Sequence, residues 1–234
     1  MNMNTICKDK ESSRSYYHPK DPISALTHFI AFLLSIAATP LLLIHAAENR
    51  ASFTTLIGLS VFMMSMILLY GASASYHSFC LSDKKDMILK KLDHMSIFIL
   101  IAGSYTPICL TAIGGTTGKV FLTVVWSIAA VGCLFKFFWV TCPRWVSSVI
   151  YIGMGWIVIT VMPQTIAGLT AGGFIWMLIG GIIYTAGGII YALKLPLIPR
   201  NHKGFGNHEL FHLFVMAGSL CHFIVMYQYI AMMG

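Results

Sequence analysis

The chain has 234 residues, of which 57% are hydrophobic and only 10% charged, and its mean hydropathy is +0.79. A soluble domain carries about 25% charge, so this composition excludes a soluble globular protein. It also leaves no room for a second globular domain beside the apolar runs. The formal charge of +7 does not point to a nucleic-acid partner, because the basic residues sit in short connections between those runs.

Residues 1–22 are polar and charged, without the short apolar stretch and small-residue cleavage site of a signal peptide. They are expected to form a cytoplasmic N-terminal tail. Residues 23–234 are expected to form one transmembrane domain. Within it the pattern predicts seven spans, at 23–46, 53–78, 91–113, 119–140, 145–163, 172–193 and 208–232. Each approaches the ~20 residues an apolar helix needs to cross a bilayer. Gly114, Gly115, Thr116, Thr117 and Gly118 predict a turn between the third and fourth spans, and Pro196, Pro199 and Gly204 a break between the sixth and seventh. The fold expected is an all-α membrane protein, a seven-transmembrane helix bundle.

Orientation follows from lysine and arginine. Lys8, Lys10, Arg14, Lys20, Lys84, Lys85, Lys90, Lys91, Lys136, Arg144, Lys194, Arg200 and Lys203 fall on one side, and only Arg50 and Lys119 on the other. The positive-inside rule then predicts a cytoplasmic N-terminus and a C-terminus outside. Six cysteines are scattered without C-x-x-C spacing, so no disulfide framework is expected.

Ionisable residues at membrane depth are costly and mark function. His77 closes the second span. His208 and His212 open the seventh, one turn apart on one helix face. Asp93 starts the third span on the same side. Three imidazoles at one depth predict a bound metal, zinc (Zn2+) above others, with the fourth coordination position left for water. Asp93 is placed to orient or deprotonate that water, and Ser73, one turn before His77, to hydrogen-bond the reacting group or the acid. His208 to His212 also matches H-E-x-x-H, in which the glutamate would be a general base. Here the third ligand would have to come from the second span, and Glu209 sits where it can simply be solvated.

The combination of Ser73-Ala74-Ser75-Tyr76-His77-Ser78, Leu92-Asp93-His94, Ala102-Gly103-Ser104-Tyr105-Thr106-Pro107 and His208-Glu209-Leu210-Phe211-His212-Leu213-Phe214-Val215 resembles the hemolysin III family, the bacterial branch of the progestin and adipoQ receptor group. The resemblance runs from Thr27-His28 to the seventh span. It implies a seven-helix bundle, zinc held by His77, His208 and His212, Asp93 reaching the metal through water, and Ser73 close by. It does not require glutamate at position 209. The wider group includes alkaline ceramidases, which hydrolyse a lipid amide.

The function expected is a zinc-dependent hydrolase of a lipid amide or ester, with a membrane lipid as substrate partner, entering from the bilayer. The first alternative is a non-enzymatic, receptor-like lipid sensor with structural zinc. The second is a cytolytic or pore-forming protein. Composition leaves the oligomeric state open. His28 is expected to serve packing or the interface, His94 to stand behind the ligands or at the bilayer interface, and His222 to make an interhelical hydrogen bond. Gly180, Gly181, Gly187 and Gly188 are expected to let helices approach closely, Pro107 to kink the third span, and Lys136 to snorkel.

Overall fold

A computed structural model describes residues 19–193 and 205–233. The expected tail therefore lies outside the described residues as far as residue 18, as do Pro196, Pro199 and Gly204. Among the described residues eight α-helices make up seven spans: α1 (Pro22–Glu48), α2 (Phe53–Ser78), α3 (Asp83–Pro107), α4 (Gly115–Phe138), α5 (Arg144–Trp156), α6 (Met162–Gly168), α7 (Ala171–Leu193) and α8 (Asn207–Gln228). Seven helical stretches are long and apolar enough to cross a membrane, and no strand occurs among the described residues.

Local chemistry explains the boundaries. Pro22 opens α1, where a missing N–H costs nothing. Ser52 caps α2 by accepting a hydrogen bond from the Thr55 amide. α3 begins eight residues before the apolar pattern does, because Asp83 and Asp86 suit the positive end of a helix. After Pro107 the third span continues as a π-helical stretch, Ile108–Ile113. The glycine turn is tighter than the sequence implied: Gly114 takes φ 61° and α4 already starts at Gly115. In the fifth span Pro163 stands in the first turn of α6, and a proline ring clashes with the carbonyl four residues back. The chain answers with a 3₁₀ segment, Ile157–Val161, between α5 and α6.

α2 packs chiefly on α1 and α3, and α7 on α8. Glycines make the close approaches. A Cβ on Gly132 would meet the Phe98 ring at 2.4 Å, and one on Gly187 would meet Phe214 Cβ at 2.6 Å. Gly188 and Gly180 face Ile152 and His222, whereas Gly181 faces open space. α5 leans on α7 and touches α3 only lightly, which leaves a cavity between α3, α5, α7 and α8.

Two expectations need correction. Lys136 does not snorkel. It is fully buried between α4 and α5, where its ammonium donates to Ser147 Oγ and contacts Cys142 Sγ at 3.1 Å. The helix pair encloses the side chain before it can reach an interface. Cys80 is disulfide-bonded, whereas Cys109, Cys133, Cys142 and Cys221 are free thiols.

Candidate metal centre

The end of α2 and the start of α8 meet, and this brings the three predicted imidazoles together. The ligand atoms of His77, His208 and His212 all lie within 4.8 Å of one another. His77 Nε2 and His208 Nε2 are 3.2 Å apart. Two nitrogens on one tetrahedral zinc, each at about 2.0–2.1 Å from the ion, stand about 3.3 Å apart. The pair is therefore already at ligand spacing. His212 is buried, and its Nδ1 has no hydrogen-bond partner among the described residues.

Asp21 completes the arrangement from a position the sequence did not flag. It is the N-cap residue of α1, yet its side chain makes no cap hydrogen bond. Its Oδ2 instead accepts from His77 Nδ1 at 2.8 Å, and its amide donates to the His77 carbonyl at 3.0 Å. A proton held on Nδ1 leaves His77 Nε2 as a bare lone pair facing the cluster. Burial works against the Asp21 charge, but the hydrogen bond from His77 and the neighbouring imidazoles and Lys20 hold its carboxyl below the usual carboxylate range. Lys20 pairs with Asp86 at 2.7 Å and lies over the Tyr76 ring at 3.9 Å. Residues 20 and 21 thus strap α1 to α2 and α3 across the mouth of the cluster.

Asp93, Ser73, His28 and His94 line one cavity with His208 and His212. Asp93 is buried, and His94 Nδ1 lies 3.2 Å from its Oδ2. Ser73 Oγ is buried beside Asp93, without a full hydrogen bond among the described residues. His28 stacks on His212 with ring centroids 3.7 Å apart, and neither of its ring nitrogens has a hydrogen-bond partner among the described residues. The rest of the lining is largely apolar and extends past the middle of the bundle through Leu100, Ile101, Met177 and Leu178 to Phe174.

Glu209 is committed elsewhere. Its Oε2 accepts from the Gly206 amide at 2.8 Å, closing the first turn of α8, and its Oε1 accepts from Ser24 Oγ at 2.9 Å. Both oxygens tie helix ends together, which replaces the general-base role suggested by the H-E-x-x-H pattern. His222 also departs from expectation. Its Nδ1 is buried without a hydrogen bond among the described residues, and the ring instead stacks on Tyr184.

Comparison with known proteins agrees with this architecture. The family described as haemolysin-III related matches residues 16–223. A hemolysin-3 homolog of Bacillus subtilis (strain 168) is 38% identical over 88% of this chain and 92% of its own length. Hemolysin-3 of Bacillus cereus is 34% identical over 95% of this chain and 97% of its own. Progestin and adipoQ receptor-like protein 1 of Caenorhabditis elegans is 26% identical over 75% of this chain and 44% of its own. With seven spanning helices and a match over nearly its whole length, the chain belongs to the haemolysin-III-related family and is a multi-pass cell-membrane protein.

Proposed function

We propose that the protein is a zinc-dependent hydrolase of a lipid amide or ester. The observation that carries this reading is that the histidine cluster opens, through Asp93 and Ser73, onto an apolar cavity inside the bundle. His77, His208 and His212 would hold the ion, with Asp21 keeping the His77 tautomer. When bound, zinc would supply Lewis-acid polarisation of a carbonyl and of water.

The chain's own groups do the rest. Asp93, a carboxylate in a dry site, accepts a proton from water and returns it to the leaving group. Ser73 Oγ, beside the Asp93 carboxylate and without a full hydrogen bond among the described residues, hydrogen-bonds the lipid's polar head. The apolar walls between α3, α5, α7 and α8 hold the chain and exclude bulk water. A purely structural zinc site has no use for a buried carboxylate and an unpaired hydroxyl facing a cavity, which favours the hydrolase over a receptor-like sensor. The bias of basic residues further supports a cytoplasmic N-terminus, with the cluster in the cytoplasmic half of the membrane.

The test is metal content by plasma mass spectrometry on protein purified without chelators, wild type beside the double variant His208→Ala/His212→Ala. About one zinc per chain, lost in the double variant, is expected. Absence of zinc from both folded proteins would overturn the mechanism.

A further inference from the structure

The cavity contains a second polar group of residues, well away from the histidine cluster, that no step above uses. On α8, Ser219 and His222 lie seven and ten residues beyond His212, about 10 and 15 Å along the helix axis. Opposite them on α7, Tyr184 lines the cavity, as does His222. Tyr70 of α2 approaches from behind.

Counting protons shows that this group is incomplete. Tyr70 Oη donates to Ser219 Oγ at 2.7 Å, and Tyr184 Oη and Ser219 Oγ share one hydrogen bond at 2.8 Å. Three hydroxyls carry three protons, and these contacts use two. If Ser219 donates to Tyr184, the Tyr184 proton is left over. If Tyr184 donates, the Ser219 proton is. His222 stacks on the Tyr184 ring with centroids 5.4 Å apart, is only 8% exposed, and has no partner for Nδ1. Gly180 makes room for it: a Cβ there would come within 3.0 Å of the imidazole. One surplus O–H donor and one imidazole nitrogen without a partner among the described residues therefore lie on or behind two stacked rings of a largely apolar wall, whose nearby Thr185 hydroxyl is already taken by Trp156. Leaving such groups buried and unpaired is costly, and a lipid chain without polar atoms would seal them in.

We propose that this is a subsite for a hydroxyl on the ligand's hydrocarbon chain, so that the cavity selects lipids hydroxylated at mid-chain. A hydroxyl both accepts and donates, and so answers the surplus donor and the imidazole together. A plain methylene answers neither. The proposal rests on the reading of the cavity as a lipid site and adds the chain chemistry that the site prefers. The separation along α8 sets where the hydroxyl belongs: about 10–15 Å from the group bound at His212.

The test is binding of stearic acid and its mid-chain hydroxy positional isomers to zinc-loaded, detergent-purified full-length protein, followed by tryptophan fluorescence. Trp156 lines the cavity and serves as the reporter. One hydroxy isomer is expected to bind about tenfold tighter than stearic acid, which corresponds to about 1.4 kcal/mol. Tyr184→Phe and His222→Leu should erase that preference, with stearic acid binding at least as tightly as to the wild type because no unpaired polar group is then sealed in; retained stearic acid binding also shows that the variants are folded. Equal binding of all isomers to the wild type overturns the subsite and leaves the lipid cavity standing. A preference that survives both variants also overturns it. Failure of every fatty acid to bind overturns both the subsite and the lipid reading of the cavity. If a variant does not fold, the wild-type ranking of isomers decides alone.

Discussion

The Asp21 carboxylate is hydrogen-bonded to His77 Nδ1 at 2.8 Å, and the opposite nitrogen of the same ring faces His208 at 3.2 Å. Side-chain capping at an N-terminus is worth about 0.5–2 kcal/mol, and Asp21 forgoes it to hold this histidine. The relationship joins the start of α1 to the end of α2 and ties the first helix to the histidine cluster, to which it contributes none of the three imidazoles.

Asp21→Ala should weaken zinc binding about 10–100-fold, the usual cost of losing a carboxylate behind a metal-bound histidine. Competitive titration against a fluorescent chelator measures it, and Asp21→Asn should fall in between. Unchanged affinity in Asp21→Ala would show that the His77 ring is held by packing alone.

Asp93→Asn should lower hydrolysis of a lipid amide by about 10²–10⁴-fold while zinc remains near one per chain. Turnover and metal content are measured on the same preparation. Full activity would remove Asp93 from the chemistry. Loss of metal along with activity would instead make it a structural support of the site.

Glu209→Gln should retain turnover to within about threefold. A glutamine can still accept from the Gly206 amide through its one oxygen while its NH2 donates to Ser24 Oγ, and the loss of charge alone at a helix N-terminus costs about 0.3–1 kcal/mol. A collapse of activity with the fold intact would restore the H-E-x-x-H reading and count against the geometry.

Gly168→Ala should destabilise the bundle by about 1–3 kcal/mol. The added carbon would lie 1.9 Å from the Ala112 carbonyl oxygen, and a backbone atom inside the π-helical stretch cannot swing aside as a side-chain tip can. Gly181→Ala, with nothing within 4 Å of the new carbon, should change stability by less than about 0.5 kcal/mol. Thermal unfolding of the two variants in one detergent gives the comparison.

Chelation should lower the unfolding temperature of the wild type and leave that of His208→Ala/His212→Ala unchanged, because a ligand stabilises only a chain that binds it. Equal shifts in both would place the metal elsewhere.

The seven spans and the depth of each polar residue in them follow from the chain's hydropathy pattern alone. Apolar runs of about 20 residues have one stable solution in a bilayer, and a residue's position along a helix follows from its 1.5 Å rise. That is why His77, His208, His212, Asp93 and Ser73 could be assigned to one end of the bundle before any contact was known. What each side chain faces is set by the packing of the bundle. Rotation about a helix axis is set by how neighbours interlock, here through Gly132, Gly187 and Gly188, and periodicity is weak where helices are apolar on every side. Lys136 was therefore misread as interfacial and His222 as bonded. Asp21 was hidden because it lies in a polar segment before α1, and its partnership with His77 crosses fifty-six residues of chain. Glu209 carried a motif's signal, but the folded chain ties both its oxygens to helix ends.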